Sequence, residues 1–420
     1  MAISGKSHWS TIARRTHRDR VRHMTSQHVP RSLWAWIVAT FGSELGTAVL
    51  AFAMTWTAAG YGPDTASLVL TLTVAPSVAF GLLGGMLADR FGVRVMMLVS
   101  LSGIIMISAC MAISIDRSGP SPLLLLAAAA LIGTASAFFR PPSGVFPRLF
   151  VGDSALGVVM ARVGMAGQLA RSVGPPLGGA LIGVLTLGGV AWLDATTSAV
   201  MLLVLVLIRP PRRRRSIDDA PRKEGAVQAL RVARSVAGVS ALLASVGIIA
   251  GAVLPAVILG IPLAARERGW NAGEAGLIEA GWVAGGLICS AWISWRDIAS
   301  QVWKPMIFGP IIIAAGLEIL AFTSLWPVAM SSAALTGAGV VVFTGHAFPT
   351  YMLLAPAAML SRFQSLLIIV QQLPQLVVGP LFGALASSAG TGTPIAAVGL
   401  LAVLATLTVA RDRKLREIRL

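Results

Sequence analysis

The sequence predicts an all-α membrane protein with twelve transmembrane helices in two pseudo-symmetric six-helix bundles. Three observations predict it. Apolar residues make up 56% of the 420-residue chain and charged residues 12%, where a soluble domain carries about a quarter charged. Apolar runs of about 20 residues, long enough to cross ~30 Å of hydrocarbon, recur along the chain. A basic stretch near the middle divides those runs into two sets of similar length.

Residues 1–32 form a basic tail in which Arg14, Arg15, Arg18, Arg20 and Arg22 crowd together. No short apolar core with a small-residue cleavage site follows them, so they are not a secretory signal. The segment reads as a cytosolic tail, and Met24 offers a second translation start. The first bundle, 33–208, holds runs near 33–57, 66–87, 95–115, 122–148, 155–183 and 189–208. A basic linker, 209–237, leads to the second bundle, 238–410, with runs near 238–263, 274–295, 303–323, 328–352, 362–388 and 393–410. A basic tail, 411–420, follows. The fourth and tenth runs are long and contain prolines, so each is expected to kink or end early. Trp34, Trp36, Trp192, Trp270, Trp303 and Trp326 lie near run ends, where interfacial aromatics collect.

The formal net charge is +16. In a soluble protein that would point to nucleic acid. Here the basic residues sit between apolar runs, which is a matter of topology and not of nucleic-acid binding. Placing both tails and every second loop on one side gathers nearly all the loop arginines there. They include Arg209, Arg212, Arg213, Arg214, Arg215, Arg222, Lys223, Arg231 and Arg234 of the linker. The second tail adds Arg411, Arg413, Lys414, Arg416 and Arg419. The opposite side keeps Arg117, Arg266 and Arg268 beside Asp116, Glu267 and Glu274. The bias predicts a cytoplasmic-membrane protein with both termini in the cytoplasm. Cys110 and Cys289 both fall inside apolar runs, so neither a disulfide framework nor a metal site is indicated. Arginine greatly outnumbers lysine and alanine, glycine and valine abound, a usage that fits a GC-rich bacterial genome.

The second and third runs are joined by Gly85-Met-Leu-Ala-Asp89-Arg90-Phe-Gly92-Val-Arg94. Two glycines permit a sharp turn, and a carboxylate wedged between spans is costly unless paired. In its plainest reading this is a loop with positive-inside arginines. Its spacing, Gly-x-x-x-Asp-Arg-x-Gly-x-Arg, resembles the signature loop of the major facilitator superfamily of transporters, with Val93 where the family has a basic residue. The resemblance implies two six-helix halves that rock about a midplane cargo site. It also implies that Gly85, Asp89, Arg90, Gly92 and Arg94 form a conformational latch, with Asp89, Arg90 and Arg94 making contacts between the halves. Ser294-Trp295-Arg296-Asp297 occupies the corresponding place in the second half as a degenerate copy.

A clearer internal repeat lies elsewhere. Val173-Gly174-Pro175-Pro-Leu-Gly178-Gly179 falls in the fifth run, and Val378-Gly379-Pro380-Leu-Phe-Gly383 falls at the matching place in the eleventh. Glycines let helices approach closely, and proline bends a helix where it lacks a donor. In the family, Gly-x-x-x-Gly-Pro-x-x-Gly-Gly in this span is associated with proton-antiport exporters. Ala170 replaces the first glycine here, and the rest matches. Phe138-Phe-Arg140-Pro141-Pro-Ser-Gly-Val-Phe-Pro147-Arg148 likewise resembles the fourth span of the drug and siderophore exporter branch. The resemblance therefore implies export of drugs or secondary metabolites, driven by a proton gradient. A siderophore exporter, a lipid flippase and a solute importer share the fold and stay open.

Ionisable groups inside a membrane are expensive and mark function by default. By position Glu44 is the deepest acid, near the middle of the first run, and several facilitator exporters carry a first-span acid at a similar place. It either carries a proton or cargo, or it is a partnered carboxylate that fixes packing. Arg140, Arg162 and Arg171 are its available partners, with Arg171, at similar depth, the first choice. Asp194, Glu279 and Glu318 fall within a few residues of run ends, where water is near and capping, packing or interfacial roles are expected. His346 reads as a hydrogen-bonded packing group, with pH sensing the rarer alternative. Gln168, Gln371 and Gln372 either line a polar cavity or hold helices together. Trp282 and Trp292 lie deeper, in reach of a hydrophobic cargo.

No glycine-rich run ends in the Gly-Lys-Ser/Thr of a phosphate loop, and neither His-Glu-x-x-His nor a nucleophile elbow occurs in a suitable setting. The chain is expected to be a transporter and not an enzyme, without a cofactor. Its expected partners are small-molecule cargo, protons and the lipid bilayer, with a monomer as the default state. A transport-dead sensor or an intramembrane enzyme is the remote alternative.

Overall fold

The computed structural model describes residues 30–209, 238–295, 301–356 and 359–412, with 232, 236, 415 and 416 besides. The first tail, most of the basic linker, Arg296, Asp297, Arg413, Lys414 and Arg419 lie outside the described residues.

Four helices open the chain: α1 (Arg31–Ala59), α2 (Pro63–Phe91), α3 (Val93–Ser118) and α4 (Pro122–Val145). A single helical stretch, Asp153–Leu207, then carries two crossings. Thr186, with φ 59° and ψ 176°, breaks it into α5 (153–185) and α6 (187–207). In the second half, α7 comes in two pieces, Val239–Ile258 and Gly260–Glu267. It is followed by α8 (Ala272–Trp295), α9 (Trp303–Phe322) and α10 (Trp326–Leu354). Then come α11, in two pieces (Leu360–Gln372 and Gln375–Ala389), and α12 (Gly392–Arg411). Among the described residues, eleven stretches are long and apolar enough to span a membrane, and the break at Thr186 makes the crossings twelve, as the sequence predicts.

Proline placement explains several boundaries. Pro63, Pro122 and Pro327 begin helices, where a missing N–H costs nothing. The Pro141-Pro142 pair precedes the end of α4, whose last turn tightens into the 3-10 segment Phe146–Leu149. The tenth run does not end early: α10 stays helical past Pro349 to Leu354. Leu123, Val184, Leu207, Ile288 and Phe322 are exposed, as suits helices whose solvent is lipid.

Inside each half, glycines bring helices to backbone contact. A Cβ at Gly174 would sit 2.3 Å from the Cβ of Ala48, and one at Gly178 would sit 3.0 Å from the Val49 carbonyl oxygen, so α5 lies tightly on α1. In the second half, a Cβ at Gly285 would sit 1.9 Å from the Ala334 carbonyl oxygen and locks α8 onto α10. Without a hydrophobic force between helices in lipid, such close packing is what holds a bundle together.

The loops richest in arginine, at Arg90, Arg94, Arg148, Arg209 and Arg411, share one end of the molecule. Contacts between the halves cluster towards the other, arginine-poor end. There a Cβ at Gly179 of α5 would lie 2.4 Å from the Ala272 carbonyl oxygen and 3.0 Å from the Gly276 Cα of α8. A Cβ at Gly383 of α11 would meet the Ser67 Oγ of α2 at 2.3 Å, and one at Gly379 the Thr71 hydroxyl at 3.2 Å. Arg266 lies 4.1 Å over the Trp56 ring and donates to the Trp56 carbonyl at 3.3 Å.

Candidate functional site

The two glycine-proline segments thus occupy equivalent seams, α5 against α8 and α11 against α2. The first is double-sided. Gly174 and Gly178 face α1 of their own half, while Gly179 meets α8 of the other half. Pro175 and Pro176 also lie on the seam, where a Cβ at Gly276 would come within 3.1 Å of the Pro175 carbonyl oxygen. In the second copy Gly379 and Gly383 both face α2, so inter-half contact falls one position earlier in the repeat.

The hinge between α2 and α3 turns at Gly92, whose φ of 97° favours glycine. Its N–H caps the Ala88 carbonyl at 2.9 Å. Gly85 packs at ordinary distance on Pro141 of α4. Arg90 lies 5.4 Å over the ring of Phe91. Arg94 departs from the expected inter-half role. Its Nε and Nη2 donate to the carbonyls of Leu205 and Val206 at 3.1 and 2.7 Å, both in α6 of its own half. A guanidinium beside the last turn of a helix finds carbonyls that have no partner within the helix. Asp89 is exposed here.

Halfway along α1, Glu44 Oε2 accepts from Arg171 Nη1 of α5 at 3.3 Å, the one salt bridge among the described residues. Beside Glu44 lies a small cavity of about 50 Å³ inside the first half; Thr40, Ser43, Glu44, Thr47, Ser136 and Arg140 form its polar wall, and Leu101, Ile104, Phe139 and Met201 its apolar one. Glu44, Arg171 and Arg140 are therefore gathered at one place. Arg162 is not among them, since its guanidinium lies 4.8 Å over the ring of Trp34. Gln168 is exposed and Gln372 half-buried. His346 is buried, with Nδ1 2.9 Å from the Val342 carbonyl one turn back, a packing contact.

Position along the chain misjudged two acids. Asp194 and Glu279 fall near the ends of their runs, yet both are buried more deeply than Glu44, whose side chain is 31% exposed. Asp194 is held between helices: its Oδ1 accepts from Thr47 at 2.9 Å and its Oδ2 from Ser108 at 2.6 Å. Thr47 also walls the cavity, so this carboxylate sits directly behind it. Glu279 Oε1 is buried without a hydrogen-bond partner. At the arginine-poor end the loop charges act as staples. Glu267 Oε2 accepts from the backbone N–H of Thr391 at 2.9 Å and from its hydroxyl, and Arg268 donates to the carbonyls of Leu320 and Ala321 at 2.9 and 2.6 Å. Burial pulls the Arg268 guanidinium somewhat below its ordinary range.

Solved transporters share this architecture. A bacterial homologue of the human lysosomal transporter Spinster, inward-facing and unoccupied, superposes with a TM-score of 0.68 at 14% identity, covering 93% of this chain and 99% of that one. A POT family transporter in complex with 5-aminolevulinic acid gives 0.65 at 15% identity, with 93% and 98% covered. The xylose transporter XylE from E. coli, inward open, gives 0.63 at 14% identity, with 90% and 95% covered. At such identities the likeness shows the fold alone. No curated protein sequence matches the chain. The Major Facilitator Superfamily signature, in contrast, matches residues 36–378. With that match, twelve crossings and a transporter architecture, the chain is a multi-pass membrane protein and belongs to the Major Facilitator Superfamily.

Proposed function

We propose that the chain exports small amphipathic molecules across the cytoplasmic membrane in exchange for protons, by alternating access between its two six-helix halves. The observation that carries this reading is the Glu44–Arg171 pair, at 3.3 Å, beside a small cavity of mixed polar and apolar lining at mid-depth. Acids in the membrane interior default to transport roles. Ionised Glu44 holds Arg171. A proton arriving on Glu44 abolishes the attraction and frees the guanidinium, so proton and cargo compete through one ion pair. A ligand moves the conformational equilibrium only by its differential affinity for the two states, and a pair made in one state and broken in the other supplies that difference.

The arginine-rich end belongs in the cytoplasm by the positive-inside rule, which puts both termini there. The seams that join the halves lie at the opposite, external end, so this conformation is open to the cytoplasm and ready to load cargo for export. The glycine-proline segment that resembles the antiport exporters forms one of those seams, which supports export over import. The chain's residues suggest no resident cofactor, and the proton gradient is the energy source.

The test uses everted membrane vesicles energised to an acidic interior, with ethidium as the first of a panel of amphipathic cations. Uptake that collapses with the proton gradient and is lost in Glu44→Gln supports the proposal. Uptake indifferent to the gradient, or intact in Glu44→Gln, overturns it.

A further inference from the structure

Glu279 is a second acid, and the Glu44 mechanism does not use it. It lies on α8, 4% exposed, and its Oε1 has no hydrogen-bond partner. One turn along the same helix, the buried Nε1 of Trp282 is also without a partner. Residues three apart lie on neighbouring positions of a helix surface, and neither buried polar atom has found a partner. Three residues on the other side of Glu279 lies Gly276, where α8 touches Gly179 and the Pro175 carbonyl of the opposite half.

The charged groups of the elements packed against α8 are engaged elsewhere. From the α5–α6 stretch, Arg171 pairs with Glu44, Arg162 lies on Trp34 and Asp194 accepts from Thr47 and Ser108. From the second piece of α7, Arg266 lies on Trp56 and Glu267 holds Thr391. On α10, His346 bonds the Val342 carbonyl, and on α8 itself Glu274 bonds the Asn271 N–H at 2.8 Å. Charge on a carboxylate whose Oε1 is buried without a partner is costly, and a proton on the carboxyl relieves that cost.

We propose that Glu279 is a proton-binding site of the α5–α8 seam: the carboxyl carries a proton while the seam is closed and ionises into external water when it parts. The inference rests on the alternating-access reading above, but its proton is separate from the one assigned to Glu44. Closing the external seam then consumes one proton from outside, which returns an emptied exporter towards the cytoplasm.

Spin labels at Ser118 and Ser324, exposed in opposite halves at the arginine-poor end, report seam closure in nanodiscs once Cys110 and Cys289 are replaced. If one proton is linked, the ratio of closed to open molecules falls up to about tenfold per unit rise in pH within the titration window. The test is made in Glu44→Gln, which removes the other proton: this chain should keep a pH slope, and adding Glu279→Gln or the apolar Glu279→Leu should hold the seam closed at every pH. A flat ratio in Glu44→Gln from about pH 5 to 9, or a slope that survives when Glu279→Gln or Glu279→Leu is added, overturns the proposal. A flat ratio in Glu44→Gln, together with Glu44-dependent uptake in the unsubstituted chain, refutes this site and leaves the transport reading standing. A Glu279-dependent slope without proton-driven uptake supports this site and refutes that reading.

Discussion

Adding one methyl group at Gly179 should push the transporter out of its present conformation. The Cβ of Gly179→Ala would lie 2.4 Å from the Ala272 carbonyl oxygen and 3.0 Å from the Gly276 Cα, about an ångström short of ordinary contact. Both obstacles are backbone, so no side chain can swing aside, and α5 and α8 must separate. Overpacking of this kind costs about 1–3 kcal/mol. In the proposed alternating-access cycle the cost falls on the closed seam alone, since the alternate state would part these helices. An energy of that size shifts a two-state ratio by roughly 5–150-fold. Distances between labels on Ser118 and Ser324 should lengthen accordingly. Two substitutions separate seam from fold. Gly183→Ala meets nothing within 4 Å and should change neither distance nor stability. Gly174→Ala meets the Cβ of Ala48 at 2.3 Å inside one half, so it should lower the unfolding temperature without favouring either state. If Gly179→Ala leaves the distances unchanged, the α5–α8 seam is not a gate.

Three further outcomes follow from the side chains. Arg171→Gln should barely change the unfolding temperature, because its side chain is 53% exposed and such pairs contribute at most about 1 kcal/mol; vesicle assays should nevertheless show proton-dependent uptake lost. Asp194→Ala leaves the hydroxyls of Thr47 and Ser108 without their acceptor, a loss of about 1–3 kcal/mol that calorimetry should register as a lower unfolding temperature. Arg94→Ala removes two hydrogen bonds from a charged donor to the α6 carbonyls. At its half-exposed position the cost should lie near the low end of the roughly 1.5–3 kcal/mol such bonds contribute, read in the same way.

The crossings are legible in the sequence because a membrane span is a one-dimensional signal, an apolar run of fixed length. Even the turn between α5 and α6, which carries little charge, shows as the gap at residues 184–188 that Thr186 breaks. Glu44 and Arg171 can be matched because depth within a span follows from counting along it. What counting omits is the lateral neighbour. Asp194 and Glu279 sit near span ends, so water is the natural expectation, yet Asp194 meets hydroxyls from two other helices and Glu279 is buried. The double-sided work of the Gly174–Gly179 segment is hidden for the same reason, since a glycine gives no sign of which helix it admits. The latch residues carry a further ambiguity. Their spacing announces a motif, but the contacts of Arg94 belong to one conformation, and a sequence holds all conformations at once.

The central claim is that cargo movement and proton movement are one process. It is tested most directly in proteoliposomes of the purified chain that enclose a pH-sensitive dye, with amphipathic cations added one by one at a set pH gradient. At least one compound, moving against its own gradient, should draw protons the opposite way, and Glu44→Gln should abolish both fluxes together. A compound that is transported with no accompanying proton flux would contradict it.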